Sequence, residues 1–372
     1  MGNRSNFIRA AALVLALLLP GPLVFAEEAA KPSAADIASA VKDALGASFY
    51  VQGGYTYNLN GQTDNNLRVF DQDANSFLLD LAQLSFSRTA ERGGVGYLIK
   101  LSAGETAKKI HSTGLGSADD PFDLTDAYIT YLAPVGEGLE LTFGKFETFH
   151  GAEVIPAAGN WNYSRSLLFN FAIPFTHVGF KAMYPVTDYL KLGFHLVNGW
   201  DNLNDNNKDK SFGYSAVVTP LEGLCVALNF MHGPEKDENN HDMRYLADVV
   251  ATYQTPLAGL SLMANYDYGY EENNGESPSV WQGVAGYARY QATEMLAAAV
   301  RGEWFDDRTG LRTGTAQTLY EVTFTPEIKI AGNLLIRPEY RHDWSDEEVF
   351  VDSDGNPKKS QDTVAVGLMY TW

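Results

Sequence analysis

One cysteine in 372 residues excludes an internal disulfide, and Cys225 lies in an alternating run where a small apolar filler is the ordinary reading. Basic residues are scarce. The 27 Lys and Arg face 46 Asp and Glu, a net charge of −19, and such a balance repels nucleic acid. Past the first thirty positions no apolar stretch approaches the roughly 20 residues of a membrane-spanning helix. There is no phosphate-binding glycine loop, no Cys-Xaa-Xaa-Cys-His haem site, and no Ser, His and acid set placed to converge. Asp352-Ser353-Asp354-Gly355-Asn356 starts like a calcium loop but lacks the full twelve-residue pattern, so it reads as a polar turn. Neither a metal nor an organic cofactor is expected.

What the chain has is aromatics at 12 %, 34 glycines and a mean hydropathy of −0.19, which is apolar surface spread over alternate positions. The final residues make this plain. Val364, Val366, Leu368, Tyr370 and Trp372 fall on one face, and Thr363, Ala365, Gly367, Met369 and Thr371 on the other. An alternating strand that ends on an aromatic residue reads as the closing strand and insertion signal of an outer-membrane β-barrel, the element a barrel assembly machinery would recognise. In lipid a sheet can turn its apolar face outward only when closure leaves no backbone group unpaired.

The N-terminal region fits export. Arg4 and Arg9 precede an apolar run over 10–19, Pro20, Gly21 and Pro22 break it, and Val24 and Ala26 are the small residues before a cleavage point. Residues 1–26 are therefore expected to be a secretory signal peptide. In 27–47, Ile37, Ala40, Val41, Ala44 and Leu45 recur at helical spacing, giving a short periplasmic segment ahead of a barrel over 48–372. A mobile tether is the plainer reading of that segment.

Period-two alternation marks strands at 49–59, 77–88, 95–103, 124–132, 139–146, 175–184, 190–200 and 212–219, then at 224–232, 244–254, 260–270, 282–291, 295–304, 318–325, 334–344 and 363–372. The expectation is an all-β, antiparallel up-and-down barrel of about sixteen strands, with fourteen to eighteen within reach of the boundaries. Connections alternate between short and long. The short ones (89–94, 133–138, 185–189, 220–223, 255–259, 292–294, 326–333) read as periplasmic turns, which puts both termini on that side. The long polar ones (60–76, 104–123, 147–174, 201–211, 233–243, 271–281, 305–317, 345–362) read as external loops.

Parity then sorts the charges. Tyr320, Val322, Phe324, Ile336 and Tyr340 suit lipid, which turns Arg289, Arg301, Glu303, Glu321, Arg337, Glu339, Arg341 and Asp343 inward. A charge facing lipid at mid-membrane would cost roughly 2–4 kcal/mol. Lys100, Asp126, His177 and Lys181 also take inward parity. Such a wall either braces itself through ion pairs or shapes the field felt by a passing ion, and the sequence weighs the two equally. In the long connection 147–174, Glu147, His150, Glu153 and Arg165 are set among Trp161, Tyr163, Phe169 and Phe171. So many aromatics are a poor choice for a loop in water, and the segment reads as a constriction against the inner wall or a lid across the mouth. Asp201, Asp205 and Asp209 with their asparagines are a weak compositional case for divalent ions held with lipopolysaccharide.

Several stretches carry a resemblance. They are Leu141-Thr142-Phe143-Gly144-Lys145-Phe146, then Glu153, Pro156 and Asn160-Trp161-Asn162-Tyr163-Ser164-Arg165-Ser166, then Pro174-Phe175-Thr176-His177-Val178-Gly179, and Asn198-Gly199-Trp200-Asp201. The chain resembles the OmpL-like β-barrel porins of the porin-2 type over most of its mature length. The resemblance implies a pore-forming barrel in the outer membrane of a Gram-negative bacterium, in which small polar or ionic solutes diffuse passively. It implies no catalytic residue. In general porins of sixteen strands the loop after strand five folds into the pore, the place that 147–174 occupies here. The expected partners are outer-membrane lipid and lipopolysaccharide, with a homotrimer as one assembly. The rival readings are a plugged barrel serving as adhesin or scaffold and, further off, a membrane-embedded hydrolase.

Overall fold

A computed structural model describes residues 42, 44–117 and 119–372. The signal-peptide reading of 1–26 lies outside the described residues, as does most of 27–47, where Lys42, Ala44 and Leu45 are helical. The barrel strands are β1 (Ala47–Asn58), β2 (Phe77–Arg88), β3 (Val95–Ala103), β4 (Phe122–Ala133), β5 (Leu139–Glu147), β6 (Thr176–Thr187), β7 (Leu190–Val197) and β8 (Ser211–Leu221). They continue as β9 (Leu224–Pro234), β10 (Met243–Gln254), β11 (Leu260–Asn273), β12 (Glu276–Gln291), β13 (Leu296–Asp307), β14 (Gln317–Ile330), β15 (Leu334–Ser345) and β16 (Ser360–Thr371). Each pairs antiparallel with its neighbours in sequence, and β16 returns to β1 to close the barrel.

Closure is what makes this sequence tolerable in lipid. Along the seam Tyr50 opposes Thr371 and Asn58 opposes Thr363, and Phe49 and Trp372 exchange backbone hydrogen bonds of 2.9 and 2.8 Å. No edge is left to pair with water. Outward positions carry the apolar set, with Val364, Val366, Leu368 and Tyr370 exposed on β16, while Gln52, Thr56 and Asn58 on β1 are buried inside. Lys42 caps the seam, its ammonium 4.2 Å from the Trp372 ring centre.

All of the short turns lie at one end and the long loops at the other, with one correction. The connection 271–281 is not a long loop. β11 and β12 run on as a tall hairpin joined by Asn274 and Gly275, with φ of 43° and 85°. Asn-Gly is the pair that a two-residue hairpin with left-handed turn residues favours, and the polar residues around it hid that signal. The last long loop holds a two-residue ladder, Phe350–Val351 with Pro357–Lys358.

Candidate functional site

The inward face of β13 to β15 stacks carboxylates directly across from one another: Glu303 opposite Glu321, and Glu321 opposite Asp343. Like charges so placed repel unless cations stand between them. Arginines do so here. Arg301 reaches Glu321 at 2.7 Å and Glu303 at 3.2 Å, Arg341 reaches Asp343 at 2.8 Å and Glu321 at 3.3 Å, and Arg337 reaches Glu327 at 2.6 Å. These side chains are almost wholly buried, although they face a lumen.

Residues 148–175, between β5 and β6, cover them. A loop inside a barrel has no strand to pair with, so its backbone groups need side-chain partners. The wall supplies acceptors: Tyr163 and Ser164 N–H donate to Glu339 at 2.7 and 3.0 Å, and Leu167 and Leu168 N–H donate to Glu303 at 2.9 and 3.2 Å. Farther round, Ala157 N–H donates to Gln52, Gly151 N–H to Asp248 and Ala152 N–H to Asn265. The wall also supplies donors, since Arg301, Arg337 and Arg341 donate to the carbonyls of Ser164, Ala157 and Arg165 at 2.8, 2.6 and 2.6 Å. The charged wall is thus the seat of the loop.

Two of the sequence-chosen loop residues hold the loop's own shape. Glu153 accepts from Ser166 N–H at 2.7 Å and pairs with Arg301 at 2.9 Å. Arg165, fully buried, donates to the carbonyls of Tyr163, Val154 and Ile155, with its guanidinium 5.1 Å from the Phe70 ring centre. Phe70 belongs to the connection 59–76, which also folds inward. Arg68 pairs with Asp71 and with Asp343 of β15, each at 2.5 Å, and Phe70 packs on Phe169 and Phe175. Sequence reading passed over this second inserted loop. Its signal was the apolar trio Leu67, Val69 and Phe70 around an arginine in an otherwise polar stretch.

Tyr163 occupies a slot that the alternation alone could not foretell. Gly54 on β1 and Gly367 on β16 are direct cross-strand partners, and a Cβ on either would overlap the Tyr163 ring. Its hydroxyl donates to Asp80 of β2 at 2.7 Å, and Gln52 donates to the same carboxylate at 3.0 Å.

The remaining candidates lie elsewhere on the wall. Lys100 bridges Asp126 at 2.7 Å and Glu147 at 2.6 Å at the root of the loop. His150 and His177 sit with His195 around Phe149, whose ring stacks on His195 at 3.7 Å. Burial pushes His150 well below the ordinary histidine range, with His177 and His195 adding to the shift. Lys181 stands over Tyr128 and Phe146 at 5.9 and 5.1 Å and makes no ion pair among the described residues. Arg289 pairs with Glu327 at 2.7 Å, its side chain 22 % exposed. Among the described residues no group of three His, Cys, Asp or Glu side chains could hold a metal ion. The Asp352 turn is satisfied internally, by the amides of Asp354 and Asn356 and by Lys358.

At the long-loop end, Arg244 and Arg312 stack on Trp200 and Trp281, and Trp281 Nε1 donates to the Ala172 carbonyl at 3.0 Å, which pins the far end of the inserted loop. Glu235, just past β9, accepts from Ser211 at 2.5 Å and from Trp200 N–H at 2.8 Å. Burial pushes its carboxyl up to about 7, partly offset by Arg244 and those hydrogen bonds. Asp201 is raised in the same way, against the amides of Thr176 and Phe175. The folded protein therefore keeps a proton on Glu235 that the unfolded chain releases near 4.5, so stability falls as pH rises from about 4.5 to about 7. We expect a loss of roughly 2–3 kcal/mol over that window, flattened by Glu235→Gln. Urea unfolding followed by tryptophan fluorescence from pH 4.5 to 8 checks it, and equal slopes for both proteins would refute it.

The sequence profile of the beta-barrel porin-2, OmpL-like family matches residues 45–372. No curated protein matches the chain. Solved structures of similar fold include an anion-selective porin from Comamonas acidovorans, with a TM-score of 0.61 at 9% identity over 88% of this chain and 98% of that one. The outer membrane channel DcaP of Acinetobacter baumannii gives 0.60 at 11% identity over 88% and 96%. Salmonella typhi OmpF, solved in complex with daunomycin, gives 0.58 at 13% identity over 88% and 97%. At such identities these likenesses speak to the fold alone.

Proposed function

We propose, from the premise that the chain belongs to the beta-barrel porin-2, OmpL-like family and is an outer-membrane porin, that its conduit is the part of the lumen left beside the seated loop 148–175. The observation that carries this reading is the loop's attachment to the arc of strands that runs from β10 through β16 to β2. It is tied to Asp248, Asn265, Glu303 and Glu339 of β10, β11, β13 and β15 and to Gln52 and Asp80 of β1 and β2, while on the other side Lys181 of β6 keeps partial contact with solvent. Width is then set by the loop. The field is set by the charges that keep contact with the lumen, namely Lys181, the part-exposed Arg289 that shares Glu327 with Arg337, and the Lys100, Asp126 and Glu147 cluster. Small polar and ionic solutes cross by diffusion, and the protein acts as a conduit with no hydrolytic step.

The short turns and both termini face the periplasm on this reading, with the strand ending at Trp372 handed to the assembly machinery. The long loops meet lipopolysaccharide. The assembly on this reading is a homotrimer. Swelling of proteoliposomes in isosmotic sugars and amino acids tests permeation, with small solutes expected to enter faster than trisaccharides. Folded protein that leaves the liposomes tight would contradict it. One observation favours the plugged-scaffold reading: two loops fold inward, 59–76 as well as 148–175, and the same assay separates the two.

A further inference from the structure

We infer that the cavity at the short-turn end, between the tip of the inserted loop and β12 to β15, is a subsite for small aromatic carboxylates. The proposal deepens the porin reading by naming a class of solute. The cavity holds about 760 Å³, within the usual range for small-molecule sites. Its chemistry is cationic in a chain whose net charge is −19. Glu327 has both oxygens engaged, Oε1 by Arg289 at 2.7 Å and Oε2 by Arg337 at 2.6 Å, so two guanidiniums share one carboxylate. Arg337 spends its third nitrogen on the carbonyls of Ala157 and Asn162. Arg289 does not. Its Nη2 bonds to Glu327 and Gln291, and its Nε and Nη1 have no acceptor among the described residues. Lys329, exposed on the next inward position of β14, makes no ion pair among the described residues either. The opposing charge is Glu294, exposed in the turn.

An anion entering here meets the unspent Nε and Nη1 N–H groups of Arg289 and an ammonium, single charge-assisted donors of the kind a carboxylate accepts from. Trp161, held edge-on to Tyr287 with ring centres 6.2 Å apart, and Leu335 give the cavity an apolar side on which an aromatic body can lie. A bare inorganic anion would leave that side unused, and an organic cation would oppose Arg289 and Lys329.

The test is equilibrium binding to refolded protein in detergent, with benzoate, benzylammonium and acetate as probes followed by saturation-transfer NMR. We expect saturable benzoate binding, weaker acetate binding and none of benzylammonium. Lys329→Glu should weaken benzoate about tenfold, the loss of one charge-assisted contact, and it leaves the Arg289, Glu327 and Arg337 triad intact. Trp161→Ala should weaken benzoate but not acetate. Equal binding of the three probes, or benzoate affinity unmoved by both substitutions in protein that still shows the shifted electrophoretic mobility of a folded barrel, overturns the proposal. Because binding is read without current, a protein that binds benzoate and never conducts would sink the conduit and leave the subsite, whereas conduction without benzoate binding would do the reverse.

Discussion

Gly367→Val drives Tyr163 out of its slot and loosens the inserted loop at its tip. The new side chain occupies the space of the Tyr163 ring, and Gly54 lies directly opposite, so the backbone cannot yield on either side without breaking the β1–β16 seam. Overpacking of this kind costs roughly 1–3 kcal/mol. The displaced hydroxyl also deserts Asp80, leaving its carboxylate with Gln52 alone. The expected result is a barrel that still folds but unfolds at lower denaturant, with a larger and noisier conductance. Tyr163→Ala added to Gly367→Val should recover most of the stability, because it removes the colliding ring, while conductance stays high. A single Gly367→Val variant as stable as the parent would show that the slot is not a fitted seat.

Arg301→Met is the second large effect. Arg301 is the hub between wall and loop: it joins Glu321, Glu303 and Glu153 and donates to the Ser164 carbonyl, with nothing exposed. Methionine matches its bulk but leaves three buried carboxylates with one cation fewer. Breaking a buried network by deleting one partner costs roughly 3–5 kcal/mol. Combining Arg301→Met with Glu153→Gln should cost less than the sum of the two, since the two residues pair with each other. Additive losses in urea unfolding would mean that the loop is not held through Arg301.

The architecture was legible because a barrel writes its own parity. The alternation over β1, β11 and β16 gave the outward face, and sixteen strands emerged from connections that alternate in length. The tall hairpin at Asn274 and Gly275 was missed for a local reason, since the residues that flank it are nearly all polar and do not alternate. At the site, inward parity identified Arg301, Glu303, Arg337, Glu339 and Arg341, and the aromatics of 147–174 marked the loop. Sequence could not pair the two. Whether a charged wall braces or guides depends on what covers it, and the partners of Glu303 and Glu339 are backbone amides of Leu167 and Tyr163, which no side-chain pattern announces. The inserted segment around Arg68 and Phe70 escaped because its key contact, Asp343, lies 275 positions away. The slot of Gly54 and Gly367 exists only once the first and last strands are side by side.

Single-channel recording of the refolded protein in a planar bilayer tests the central claim most directly, run in parallel on the parent and on a variant with residues 152–168 replaced by a short Gly-Ser linker. A conduit narrowed by a loop seated on the strands from β10 round to β2 predicts discrete steps from the parent and larger steps from the variant. No steps from either protein, both shown to be folded, would contradict it.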